Sequence, residues 1–155
     1  MQIHLVAVGN RMPGWVTEGY LEYAKRLPPE CRLVLREITP GKRLKNADIT
    51  RIRAEEGERI LAAIAPEDHV IALEMLGKAW STETLAEQLG QWQRDGRRIA
   101  LLVGGPDGLS NPCRDRADQQ WSLSPLTLPH PIVRIVVAEQ IYRAWSWLNR
   151  HPYHR

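Results

Sequence analysis

The sequence predicts an α/β domain, a parallel sheet flanked by helices, and three observations carry that prediction. Short apolar runs alternate with amphipathic segments along all 155 residues. Strands separated by helices require parallel βαβ crossovers, which cover a sheet on both faces. Nothing resembles a linker, a repeat or a low-complexity stretch, so residues 1–155 form a single domain.

The first strand is expected over residues 3–8 and closes on Gly9–Asn10. Residues 14–27 read as a helix, with Trp15, Leu21, Ala24 and Leu27 near one face and Pro28–Pro29 as a stop. A second strand over 33–38 ends at the turn signal Thr39-Pro40-Gly41. Asn46 suits the N-cap of a helix running to Ala65, before Pro66. A strand over 70–73, a helix over 81–94 and a strand over 99–103 follow, then a short helix from Asn111. A weaker fifth strand lies near 121–128, and the last helix spans 132–148. That helix carries one apolar stripe of Val133, Val137, Ile141, Trp145 and Leu148, and a second apolar face of Ile132, Ile135 and Val136. So wide an apolar arc is buried on two sides, either by another subunit or by its own chain.

Hydrophobic content of 43% and charged content of 25% are ordinary for a globular protein. No stretch approaches the roughly 20 apolar residues of a membrane span. The opening MQIHLVAVGN lacks a basic region and a cleavage site, so a cytoplasmic protein is expected. Cys31 and Cys113 lack CxxC spacing and read as free, partly buried thiols. The net charge is +3, and Lys42, Arg43 and Lys45 cluster, with Arg51 and Arg53 close behind. Such a basic face suits a phosphate-bearing partner, and equally a solvated surface.

Three loops follow three strands: LEMLGKAW (73–80), VGGPDGLS (103–110) and LSPLTLPHP (123–131). Ligands of open α/β sheets bind at the carboxyl ends of strands, where such loops diverge. GGPDG is neither GxGxxG nor a Walker sequence, and by itself it reads as a tight turn. Gly104 and Gly105 would let a ligand approach the backbone closely. LSPLTLPHP has few charges and many amides, suited to a flat neutral base held by main-chain hydrogen bonds. His151 and His154 lack a third metal ligand, so no metal is expected. The chain ends in NRHPYHR, which reads either as a packed surface turn or as a functional tail.

Taken together, GGPDGLS, LTLPHPIVRIVVAEQIYRAW and the terminal HPYHR resemble one family, as do the opening LVAVGNRMPGWV and the GKRLKNADI segment. It is the RlmH family, 23S ribosomal RNA (pseudouridine-N3) methyltransferases of the SPOUT class, and the resemblance covers essentially the whole chain. It implies a fold whose C-terminal part threads a deep trefoil knot, which no sequence pattern would indicate. It also implies a homodimer with the last helix at the interface. The implied cofactor is S-adenosylmethionine, held by Leu73, Gly104, Gly105, Leu123, Ser124, Pro125, Leu126, Thr127 and Leu128. The implied substrate is a pseudouridine in helix 69 of 23S RNA, within the assembled ribosome.

Methyl transfer from a sulfonium is an in-line displacement that rewards alignment. N3 of pseudouridine must lose a proton to attack well, so a proton acceptor or an anion-stabilising group is needed. His154 is the candidate for the first role and Arg143 or Arg155 for the second, with Tyr153 stacking on the base or bonding to it. His130 is expected to shape the cofactor loop, and Lys42, Arg43 and Lys45 to hold RNA phosphates. Ribose 2′-O-methylation of RNA and a non-catalytic RNA- or ribosome-binding module remain the alternatives.

Overall fold

The computed structural model describes residues 1–155. Five strands alternate with five helices: β1 (Gln2–Val8), α1 (Gly14–Ala24), β2 (Arg32–Ile38), α2 (Ile49–Ala62), β3 (His69–Ala79), α3 (Thr82–Asp95), β4 (Ile99–Val103), α4 (Asn111–Arg116), β5 (Gln119–Ser122) and α5 (His130–Leu148). The strands form one parallel sheet in the order β2-β1-β4-β3-β5. Side chains of a strand alternate between faces, and both faces here are apolar. Ile3, Leu5 and Ala7 of β1 and Ile99, Leu101 and Val103 of β4 enter the larger core, with residues of α1, α3 and α5. Val6, Val8, Ala100 and Leu102 enter the smaller one, with residues of α2 and α4. No helix is long and apolar enough to cross a membrane.

Several boundaries differ from the sequence reading, each for a local reason. Helix α2 is capped by Asp48, whose side chain accepts the Thr50 amide at 2.9 Å. Asn46 lies outside the helix with φ +70°, a conformation Asn tolerates better than most residues. Strand β3 runs on to Ala79, with a shift of register against Trp121 between Leu73 and Lys78. Gly77 permits this, since a Cβ there would sit 2.8 Å from the Gln120 carbonyl carbon. Strand β5 stops at Ser122, where side-chain turns take over: Ser122 Oγ donates to the Ser124 carbonyl, and Ser124 Oγ accepts the Leu126 amide. Helix α5 starts at His130, with Pro131 in its first turn, where a missing amide costs nothing.

Helix α5 lies between α1 and α3, and Val137, Ala138, Ile141 and Ala144 are fully buried. Its second apolar face is covered in part by its own chain, because a Cβ at Gly19 of α1 would sit 2.7 Å from Ile135 Cδ1. Trp15 and Leu21 of α1 and Trp147 and Leu148 of α5 remain exposed. Cys31 and Cys113 are free and buried, and burial pushes the Cys31 thiol up to about 12.

At the amino ends of β3 and β4, Arg98 grips the buried Asp68 with two hydrogen bonds of 3.0 and 2.7 Å. Burial opposes ionisation of Asp68, but the guanidinium and the Ala65 amide overcome it and hold the carboxyl below its ordinary range. Arg98→Met would leave that carboxylate buried with no counter-charge, at a cost of about 3 kcal/mol near neutral pH. A depressed carboxyl contributes stability above its unfolded titration and loses it as pH falls through the folded one. Urea unfolding of the two proteins should therefore differ at pH 7 and converge in acid, below about pH 4.

Candidate active site

The loops after β3, β4 and β5 meet at the carboxyl ends of their strands and enclose a cavity of about 440 Å³. The β4 loop is shaped by glycines. Gly104 lies against its own loop, and a Cβ there would sit 2.4 Å from the Gly108 carbonyl carbon. Residues Gly105 to Gly108 form a turn closed by the Gly108 amide donating to the Gly105 carbonyl at 3.0 Å, with φ +79° at Gly108. Gly105 lines the cavity with its backbone, but a Cβ on it would point at Val8, Arg43 and Glu56. The absence of a Cβ at Gly105 therefore makes room for the ion pair behind the loop rather than for a ligand in front of it.

The β5–α5 loop supplies the opposite wall. Ser124 spends its hydroxyl on the Leu126 amide, whereas the amides of Thr127 and Leu128 donate to no group of the chain. Thr127 Oγ1 lies 3.4 Å from Met75 Sδ and ties this wall to the β3 loop. Leu73, Leu123, Leu128, Trp121 and Val133 provide apolar surface, and Trp121 stacks on Trp80 at 5.1 Å. Free amides beside apolar walls fit a flat heteroaromatic ring with an amphipathic edge, which is what an adenine presents. Of the nine residues expected to bind the cofactor, eight line this cavity, and Pro125 does not. Trp121, Val133 and Met75 also line it and were not singled out from sequence, although Met75 lies within the 73–80 loop and the other two lie close to the 123–131 loop.

His130 begins α5 at the cavity wall. Burial first, and then the charges of Arg134 and Arg43, lower its pKa, so the imidazole is neutral near pH 7. Behind it, Arg134 is 2% exposed and donates to the Gly9 carbonyl and to Glu37 Oε2, each at 2.8 Å.

The basic segment splits in two. Lys42 and Lys45 are exposed. Arg43 is exposed as well but is tied to the fold, 3.0 Å from buried Glu56 and 3.0 Å from Asp107 of the β4 loop. It therefore braces the cavity from behind, and Glu56 also accepts the Gly41 amide at 3.0 Å.

After α5, Arg150 at φ +55° reverses the chain, and Pro152–His154 form a 3-10 turn folded back on the helix. Tyr153 packs on Tyr142, with ring centroids 4.6 Å apart, and its hydroxyl donates to Glu139 Oε1 at 3.0 Å. Arg143 Nε donates to the same oxygen at 2.8 Å. Burial and the Glu139 carboxylate push the Tyr153 hydroxyl up to about 12, so it remains a donor. Within its own chain Tyr153 is thus an anchor. His154 Nδ1 lies 2.5 Å from the His151 carbonyl, which can only accept. That bond places the imidazole proton on Nδ1 and leaves the Nε2 lone pair of the neutral ring free to take a proton. Arg155 is exposed.

The cavity and the tail lie at opposite ends of α5. His130 lines the cavity, whereas His154 packs on Trp147, with ring centroids 5.3 Å apart. Trp147 lies seventeen steps along the helix from His130, about 25 Å along the axis.

Residues 1–154 match the family model described as "Predicted SPOUT methyltransferase". The chain is 64% identical, over 100% of both chains, to "Ribosomal RNA large subunit methyltransferase H" of Methylococcus capsulatus. Proteins of the same name from Marinomonas sp. and Hahella chejuensis are 60% and 58% identical over 155 residues, covering 100% of this chain and 100% and 99% of theirs.

Two expectations follow for the cavity. Gly104→Ala forces the β4 loop open, and such overpacking costs about 1–3 kcal/mol. It should lower the melting temperature and weaken S-adenosylmethionine in calorimetry; an unchanged affinity would remove this loop from the pocket. For His130, a lowered folded pKa means that the unfolded chain binds the proton first, so stability falls as pH drops below about 6.5. His130→Asn should flatten that part of the stability–pH curve in thermal melts between pH 5 and 7.5.

Proposed function

The chain belongs to the RlmH family of SPOUT methyltransferases, and from that membership we propose that it methylates N3 of a pseudouridine in large-subunit ribosomal RNA, with S-adenosylmethionine as donor. The finer target is a pseudouridine in helix 69 of the 23S molecule, reached in assembled ribosomes in the cytoplasm. The same membership leads us to infer a trefoil knot in the C-terminal part of the chain.

One observation carries the mechanism: Trp147, on which His154 packs, lies about 25 Å along α5 from His130 in the cavity wall, so the tip of the tail does not sit over the cavity of its own chain. A twofold dimer in which two α5 helices run antiparallel would bring each tail over its partner's cavity. The exposed Trp15 and Leu21 of α1 and the part-exposed Ile132 and Val136 of α5 offer apolar surface for such contact.

The cofactor supplies an electrophilic methyl group, and the chain's residues do the rest. Free amides of Thr127 and Leu128 and the Gly104–Gly105 backbone hold and orient the donor. His154 Nε2 of the partner tail takes the N3 proton, and Arg155 stabilises the imide anion that results. Arg143 bears on this indirectly, by sharing Glu139 with Tyr153. Lys42 and Lys45 hold phosphates around the target.

The test is methyl transfer to intact ribosomes against free RNA, with the modified nucleotide mapped by mass spectrometry. Methylation of a ribose hydroxyl instead of the base would overturn the assignment of N3. Removing Tyr153–Arg155 should abolish transfer while the fold survives, because the lost residues are terminal and outside the core. His154→Ala should lower the rate by roughly 10²-fold or more and remove the acidic limb of the pH profile, where protonation of the base slows the reaction. Mixed dimers of tail-deleted and cavity-blocked subunits should regain activity, since one intact tail meets one intact cavity; a fully active truncated homodimer would sink the scheme.

A further inference from the structure

Arg26, the second residue beyond α1, lies against three tyrosine rings. Its guanidinium carbon is 5.4 Å from the Tyr23 centroid, 5.6 Å from Tyr142 and 5.9 Å from Tyr153. The three rings come from three parts of the chain: α1, α5 and the terminal 3-10 turn. Tyr153 meets Tyr142 at 4.6 Å and Tyr23 at 6.5 Å, and Arg143 stands over its ring at 5.1 Å. A guanidinium within about 6 Å of a ring centroid is attracted by the ring quadrupole, and Arg does this better than Lys because it is planar and weakly hydrated. Glu22 pairs with Arg26 one turn earlier, at an exposed position.

We propose that Arg26 is a positioning residue: packed against Tyr23, Tyr142 and Tyr153, it clamps the terminal turn onto α1 and α5. Its influence passes through Tyr153 to His154 and Arg155, the next two residues of the chain. The other anchors of Tyr153, its hydrogen bond to Glu139 and its packing on Tyr142 beneath Arg143, both come from α5. Arg26 holds the turn from the side of α1. The clamp is a statement about the tail's closed population; its importance for catalysis rests on the function proposed above.

Carboxypeptidase B tests the clamp on the full-length protein. The protease needs several terminal residues extended in its cleft, so release of Arg155 reports opening of the turn when opening and closing are fast. Arg26→Gln should raise the release rate by about two- to five-fold, the range expected for cation–π attraction at an exposed site. S-adenosylmethionine affinity should be unchanged, and Arg26→Lys should fall between the two. Glu22→Gln removes the ion pair but keeps the rings and the guanidinium, so its release rate should stay close to that of the unaltered protein. The clamp is overturned if Arg26→Gln releases Arg155 at the unaltered rate, or if Glu22→Gln accelerates release as much as Arg26→Gln. Faster release with unchanged methyl transfer to ribosomes would uphold the clamp and count instead against the tail's part in the reaction.

Discussion

The structure depends on how α5 is fastened to the sheet. Its buried residues Val137, Ala138, Ile141 and Ala144 give it a broad apolar seat between α1 and α3, but apolar contact alone does not set where a helix stops along its axis. Arg134 does. A guanidinium taken out of water must find fixed acceptors, and here they are Glu37 near the end of β2 and the carbonyl of Gly9 just beyond β1. The two bonds lock the first turns of α5 to the carboxyl edge of the sheet. Through that lock His130 becomes a wall of the cavity, and the far end of the helix, with its tail, is carried away from it.

The polar part of the cavity is largely backbone. Gly104 lets the β4 loop fold tightly on itself, and the amides of Thr127 and Leu128 are left without partners in the chain. Fixed backbone dipoles need no reorganisation when a ligand arrives, so such a pocket is preorganised. Its charges are matched within the chain: Glu74 in the wall is paired with Arg114, Arg43 behind the loop with Glu56 and Asp107, and burial and cationic neighbours keep the wall's one titratable ring, His130, neutral. The groups that can move a proton are at the other end of α5. On the function proposed above, binding and proton handling are separated within each chain.

Much of the fold was legible because its strands and helices have distinct periods. Ile3–Val8 and Ile99–Val103 were clear from local composition, and Ser81 was near enough to mark the start of α3. What escaped notice was non-local. The extension of β3 depends on Gly77 meeting the backbone of Gln120 and Trp121, over forty residues onward. Arg43 looked like a free cation beside Lys42 and Lys45, because nothing nearby in sequence announces Asp107 as its partner. Gly105 lines the cavity, yet what a side chain there would meet is set by Val8 and Glu56, distant in sequence. For the tail, Glu139 and Arg143 are one helical turn apart and could be paired by eye, but their bond to Tyr153 requires the reversal at Arg150.

That reversal also explains why a short polar terminus is ordered. A free tail would sample many conformations, and fixing each residue costs about 1–2 kcal/mol in backbone entropy. The turn at Pro152–His154 meets this cost in parts: proline restricts the chain before folding, Tyr153 buries its ring against Tyr142, and its hydroxyl and the His154 ring each find a hydrogen-bond partner. Ordering is worthwhile only if the ordered groups face something. Within the chain Tyr153 faces inward and is consumed by the anchor, whereas Arg155 and the Nε2 edge of His154 have no partner of their own. An anchored root that presents unpartnered cationic and proton-accepting groups, far from the pocket of its own chain, is what a site shared between two subunits requires of each of them.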